Sequence, residues 1–429
     1  MPDICYASNL LKLFENSSQN EQKVPFRRDG VARENELCVG ADMYAGRQTC
    51  IRRGFSSSPD PFQAARELYE GIYNPDATLA GFFASADYDL HVLERELNGH
   101  FSGVPLIGCT SAGEITPAGY LSGGIAGFSL ARPDFVTASA TIENLRLVSI
   151  AETHAIVRSL RVQLENEAGD LSPSNSFAFL LIDGLCKCEE VVLSAISSAL
   201  GDVPMFGGSS GGGLTFQRSY VFDDGRFLTE AAVLVLVRTR VPFKLFTLDH
   251  FVNSETRMVV TEADPASRIV TEINAEPAAQ EYARLLDLGT KNLTPMIFAT
   301  HPVLVKVGGR YFSRSIQKVN EDGSLTFFCA IDKGVVLTIA KSTDLLASVA
   351  ALFDEINVEI GPPELIIGCD CVLRALELER NQKKAEAGRL FAKNNVIGFS
   401  TFGEQFQAMH VNQTFTGAAI GIGLTDRSA

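Results

Sequence analysis

Apolar residues along this 429-residue chain fall into short blocks of two kinds. Strand-like runs at Leu79 to Ala84, Phe177 to Ile182, Ala231 to Val237 and Leu365 to Ile367 alternate with segments whose apolar positions recur at helical spacing. Ser58-Pro59-Asp60-Pro61 announces the first clear helix. Asp60 is placed to cap it, Pro61 suits the first helical position, and Ala64, Ala65, Leu68 and Ile72 follow on one face. Residues 1–54 hold Ser, Asn, Gln and charge with no sustained period, the pattern of a loosely ordered polar leader. The alternation predicts an α+β fold of mixed β-sheets flanked by helices, with a layered αββα stack as one arrangement.

The blocks also repeat. Val104-Pro-Leu-Ile-Gly-Cys-Thr-Ser-Ala-Gly113 recurs as Val203-Pro-Met-Phe-Gly-Gly-Ser-Ser-Gly-Gly212, and Val396-Ile-Gly-Phe-Ser-Thr-Phe-Gly-Glu404 is a third version. Before each copy stands an apolar strand ending near an acid (Asp87, Asp183, Asp370), then a helix. After each comes a closing strand rich in small residues: Gly124 to Leu130, Ala231 to Val237 and Gly417 to Leu424. The chain is thus expected to hold three β-α-β-turn-β units, two in an N-terminal half and one in a C-terminal half. Strands at Val303 to Val307, Tyr311 to Val319, Leu325 to Ile331 and Val335 to Ala340 precede the third. Gly308-Gly309 and Asp322-Gly323 supply hairpin turns, since both dipeptides accept positive φ.

Composition narrows the partners. There are 51 acidic against 37 basic side chains, a net charge of −14, and no clustered Lys/Arg stretch, which argues against nucleic acid and anionic membrane surfaces. No apolar run approaches the roughly 20 residues that span a bilayer, and no signal-peptide pattern opens the chain, so a cytoplasmic location without membrane insertion is expected. Nine cysteines fit free thiols in a reducing compartment.

Candidate chemistry is sparse. Gly207-Gly208-Ser209-Ser210-Gly211 satisfies the Gly-x-Ser-x-Gly nucleophile pattern, but that motif needs a helix directly behind the serine, and loop and strand follow instead. No base pairs with a serine, so no enzyme is expected. Two Cys-x-Cys pairs, Cys186/Cys188 and Cys369/Cys371, lie just after strand ends and are able in principle to converge on zinc or an iron–sulfur cluster; buried thiols are the plainer alternative. Among six histidines, His301 and His410 stand in apolar, Phe-rich surroundings where a neutral imidazole could ligate haem iron. A hydrogen-bonded structural histidine is the competing reading for both.

These segments resemble the FIST family of sensory proteins, which pair an N-terminal and a C-terminal FIST domain. Gly108-Cys-Thr-Ser-Ala-Gly-Glu114 looks like the N-terminal signature, with Ser58-Pro-Asp-Pro-Phe62 before it and Tyr220-Val-Phe222 after it. Glu276-Pro-Ala-Ala-Gln-Glu-Tyr282 is similar to the opening helix of the C-terminal domain. Tyr311 to Ile316, Asp322 to Phe328, Asp370 to Glu377 and Gly398 to Thr416 look like the branch of bacterial nitric-oxide-sensing haemoproteins (NosP type). The resemblance implies FIST domains at 55–262 and 263–429 and a haem b receptor for nitric oxide. Its ligation state would alter the grip on a partner histidine kinase, in signalling linked to biofilm behaviour and cyclic-di-GMP. His410 and His301 are the candidate axial ligands. Gly108, Ser111, Glu114, Asp370, Arg374, Gly403 and Glu404 are the candidate pocket residues. Two alternatives stand beside it: a FIST sensor holding a small polar ligand such as an amino acid at the Gly/Ser turns, and a cysteine-ligated iron–sulfur or redox protein.

Overall fold

The computed structural model describes residues 50–213 and 218–422. The first unit runs β1 (Ile51–Ser56), α1 (Pro61–Ile72), β2 (Ala77–Ser85), α2 (Leu90–His100), β3 (Leu106–Ser111), a small hairpin β4 (Glu114–Thr116) and β5 (Gly119–Leu121), and β6 (Ile125–Ala131). Asp60 caps α1 through Phe62 N, and Ala64, Ala65, Leu68 and Ile72 are its buried residues, as the spacing requires. The second unit repeats this order. It comprises β7 (Phe135–Ile142), α3 (Ile150–Ala168), β8 (Ser176–Ile182), α4 (Glu189–Leu200), β9 (Met205–Ser209), the hairpin β10 (Val221–Asp223) and β11 (Arg226–Leu228), and β12 (Ala232–Thr239).

The third unit begins with β13 (Phe243–Leu248) and is then interrupted. The interruption holds β14 (Phe251–Asp264), β15 (Ile269–Ile273), β16 (Glu276–Pro277), α5 (Ala278–Leu285) and α6 (Pro295–Thr300). It continues with β17 (Val303–Val307), β18 (Arg310–Arg314), β19 (Ile316–Val319), β20 (Leu325–Phe327) and β21 (Val336–Ser342). These strands make a separate sheet with its own core, in which Tyr282, Phe298 and Phe327 are buried. The unit resumes with α7 (Leu345–Ile360), β22 (Leu365–Cys371), α8 (Val372–Arg380), α9 (Lys384–Lys393), β23 (Val396–Thr401), the hairpin β24 (Glu404–Phe406) and β25 (Met409–Val411), and β26 (Phe415–Ile420).

Each unit pairs its two long central strands in parallel across a helix (β2/β3, β8/β9, β22/β23) and closes antiparallel with β6, β12 or β26. The opening strand of each unit pairs with its closing strand. The hairpins leave home. The first unit's hairpin adds to β23 of the third unit, the second unit's to β3 of the first, and the third unit's to β9 of the second. Three six-stranded sheets are thereby linked in a closed cycle. Their inner faces share one core, in which Phe83 stacks on Phe399 at 4.4 Å and Phe179 on Phe206 at 4.8 Å. Helices cover the outer faces through separate clusters. The expected mixed sheets flanked by helices are present, wrapped around a shared centre.

Two details depart from the sequence reading. β1 starts at Ile51, inside the stretch read as leader; residues 1–49 lie outside the described residues. β13 belongs to the third sheet although the inserted strands and helices of residues 251–342 follow it. The position expected to divide the two domains, 262/263, falls within β14. The end of the third closing strand at Leu424 lies outside the described residues.

Candidate functional site

The three Gly/Ser turns meet where the sheets converge. Ala112 N donates to Ser400 O, Gly211 N to Thr110 O, and Phe402 N to Ser209 O, so each turn is bonded to the next around the cycle. Behind two of them sit fully buried glutamates. Ser111 Oγ donates to Glu114, whose other oxygen accepts from Gly124 N at 3.0 Å; Thr401 Oγ1 donates to Glu404, whose other oxygen accepts from Thr414 N at 3.1 Å. Burial raises Glu114 to about 7 and Glu404 to about 8 against the pull of those donors. Both carboxylates are satisfied inside the protein and latch the exit of a hairpin. Gly108 is likewise a packing residue, because a Cβ there would overlap the ring of Phe82.

A groove of about 210 Å³ opens beside the first turn. Ser85, Asp87, Ser111 and Gly113 line it from the first unit, and Leu376, Glu379 and Lys384 from the third. Lys384 Nζ is 3.1 Å from Glu379 and lies over the ring of Tyr120 at 6.0 Å. Tyr120 donates to Asp370 Oδ2 at 2.7 Å, and Arg374 Nε to Asp370 Oδ1 at 2.7 Å. Arg374 Nη1 then meets His250 Nδ1 at 3.1 Å, and His250 Nε2 meets Glu377 at 2.8 Å. Burial lowers His250 and raises Tyr120, the latter with help from Asp370. Asp370 and Arg374 are thus a fully buried ion pair under the groove, with Arg374 Nη2 unbonded.

The third unit's hairpin carries His410 onto the first turn of α4. His410 is 2% exposed; its Nδ1 is 3.4 Å from Glu190 Oε1, and its Nε2 stands against Gly403, where a Cβ would overlap it. Gly403 is therefore a seat for the imidazole. Arg268, from the inserted segment, reaches Glu189 at 2.5 Å and Glu190 at 2.9 Å. Burial would raise Glu190, but His410, Arg268 and the Ala330 amide outweigh it and hold the carboxyl well below its usual range. A haem axial ligand needs one nitrogen facing open apolar space on the iron side. In this geometry His410 does not offer one. His301 caps the end of α6, half-buried, with Nδ1 held by Thr300 Oγ1 at 3.0 Å, which leaves Nε2 for an outside partner.

Among the described residues the two Cys-x-Cys pairs do not converge. Cys186 belongs to the helix-covered face of the second sheet, Cys369 to the shared core, and Cys371 to a cluster with Phe328 and Phe402. Among the described residues, the histidine, cysteine and carboxylate group able to hold a metal is Glu189, Glu190 and His410. Ser209 ends β9, is fully buried, and its hydroxyl accepts from Gln405 at 2.8 Å.

Glu189, Glu190, Arg268, Tyr120, His250 and Glu377 were not singled out in the sequence. One signal was available. Extending the repeat through the hairpins places Tyr120, Phe227 and His410 at equivalent positions, each the middle residue of the outer strand of a hairpin whose first strand docks on a neighbouring unit.

Comparison with known proteins bears on this arrangement. Residues 78–276 match the FIST N domain and residues 278–407 match the FIST C domain, more than half of the chain between them. No curated protein matches the sequence. A solved cyanuric acid hydrolase from A. caulinodans superposes with a TM-score of 0.36 and 9% identity, covering 87% of this chain and 99% of that one.

Proposed function

The chain belongs to the FIST domain family, and from that premise we propose that it is a non-enzymatic sensory protein whose effector is a small zwitterionic ligand held in the groove between the first and third units. The observation that carries this reading is the mixed charge of that groove. Asp87 and Glu379 would face a ligand's ammonium group, Lys384, now bonded to Glu379, would face its carboxylate, and about 210 Å³ gives room for a small molecule. The ligand would touch Lys384, which lies on Tyr120, and Tyr120 bonds the buried Asp370–Arg374 pair. Occupancy would thus bear on the junction of two units. Calorimetry against the common amino acids should find saturable binding that is lost when Asp87→Ala and Lys384→Ala are combined. No binding by any member of the panel would sink the reading.

A second reading follows the NosP-type resemblance: a cytoplasmic haem protein that takes nitric oxide and modulates a histidine kinase. One observation favours His301 as its ligand. The helix α6 that ends at His301 is tied to the third unit, since Gln413 Nε2 donates to Ala299 O at 2.7 Å. Haem would supply the iron that takes the gas, and the chain would hold it through His301 Nε2. Haem-reconstituted protein should then show a Soret band that His301→Ala abolishes and His410→Ala keeps. Protein that shows no Soret band after reconstitution would end this reading.

A further inference from the structure

The strand order places two adjacent carboxylates and a histidine at one buried point. Glu189 and Glu190 open α4 in the second unit, and His410 arrives on β25 from the third. One ligand atom from each lies within 4.8 Å of the other two. Acidic pairs are common at helix starts, where they complement the dipole. Here a second observation points further. His410 is 2% exposed and Asn412 0%, yet His410 Nε2 and both amide atoms of Asn412 make no hydrogen bond, and His410 Nδ1 has only its 3.4 Å approach to Glu190. Buried polar atoms are nearly always satisfied, and leaving them idle costs roughly 1–3 kcal/mol each.

We propose that Glu189, Glu190 and His410 bind one divalent transition-metal ion of the zinc class. Imidazole nitrogen with carboxylate oxygen is a donor set that such ions take, and ligand atoms around zinc at about 2.0–2.2 Å need only a small closure from the present spacing. Asn412 supplies the support that metal-bound histidines use. Its amide and His410 Nε2 face the same spot above Gly403. With the amide oxygen turned toward the ring, Asn412 accepts from Nε2–H and leaves the Nδ1 lone pair for the metal. Gly403 is required there, because any side chain would evict the imidazole.

The cation now at this point is Arg268, whose guanidinium reaches both carboxylates. Arg268 also donates to Phe328 O within the inserted segment, so its bonds to Glu189 and Glu190 fasten that segment to the second unit. A metal ion that takes the carboxylates displaces it. Metal binding and docking of the inserted segment are therefore in competition, and neither depends on the groove ligand or on haem.

The test uses the full chain without a histidine tag, stripped with chelator and titrated with zinc, manganese and magnesium by calorimetry. One equivalent of zinc should bind at least about 100-fold more tightly than magnesium. His410→Ala and Glu189→Gln should each weaken zinc about 10- to 100-fold or more, Asn412→Ala about 10-fold, and Arg268→Gln should strengthen it. Cobalt(II) in the wild-type protein gives a reading independent of variant folding: intense visible bands of a low-coordinate nitrogen–oxygen site are expected. Absence of stoichiometric zinc, unchanged affinity in folded His410→Ala, or a cobalt spectrum like that of the hydrated ion would each overturn the proposal.

Discussion

Glu114 and Glu404 make folding itself sensitive to pH. An exposed glutamate titrates near 4.3 in an unfolded chain, whereas burial holds these two at about 7 and about 8. Between those values the folded state keeps protons that the unfolded state has lost. The contribution is complete below about pH 4 and disappears as pH rises through 7 to 8. Urea midpoints should therefore fall from pH 5 to pH 8, by an amount on the order of 3 kcal/mol for each glutamate. The double variant Glu114→Gln, Glu404→Gln is neutral at every pH and should flatten that slope; an unaltered slope would refute the assignment. Both glutamates were visible in the sequence as the ends of repeated Gly/Ser turns. That they face inward, onto Ser111 and Thr401, was not, because the same spacing serves an open ligand loop equally well.

At the scale of elements, the exchanged hairpins are held by different chemistry at equivalent positions. Phe227 packs among Phe82, Phe222 and Tyr220, Tyr120 bonds Asp370, and His410 faces Glu190. Removing one hydroxyl should be tolerated and removing a buried charge should not. Tyr120→Phe is expected to cost about 1–2 kcal/mol, since Asp370 keeps its bond to Arg374. Asp370→Asn leaves the fully buried Arg374 without its counter-charge and is expected to cost about 3–5 kcal/mol. Chemical denaturation of the two variants checks the order, and equal losses would contradict it. The helices and long strands of each unit were legible from periodicity and capping, as Asp60 and its buried Ala64, Ala65, Leu68 and Ile72 show. The three-residue hairpin strands carry too few positions for any period to register, so their destinations were not.

Across the whole molecule, each of the three six-stranded sheets is completed by a hairpin from another unit. A fragment of residues 50–240 would retain β10 on β3, but would lose β23, on which β4 docks, and β24, which docks on β9. It would also uncover Phe83, which stacks on Phe399. That fragment is expected to form no stable fold, while the full chain unfolds in one transition with coincident midpoints by far-UV circular dichroism and tyrosine fluorescence, the chain having no Trp. Separate transitions for the two halves would contradict the closed cycle.

Local information was enough for the β-α-β-turn-β repeat, for the capped and amphipathic helices, for the close-packed glycines that recur in each turn strand, and for the FIST resemblance that the domain matches bear out. Those features depend on neighbours within a few residues, where periodicity and backbone preference act. The destination of each hairpin, the return of β13 to a sheet completed far along the chain, and the meeting of Glu189, Glu190, Arg268 and His410 depend on contacts spanning roughly 80 to more than 200 residues. Apolar burial around a shared centre has no local signature at that range. Only closing the three sheets on one core decided which polar side chains would be buried together.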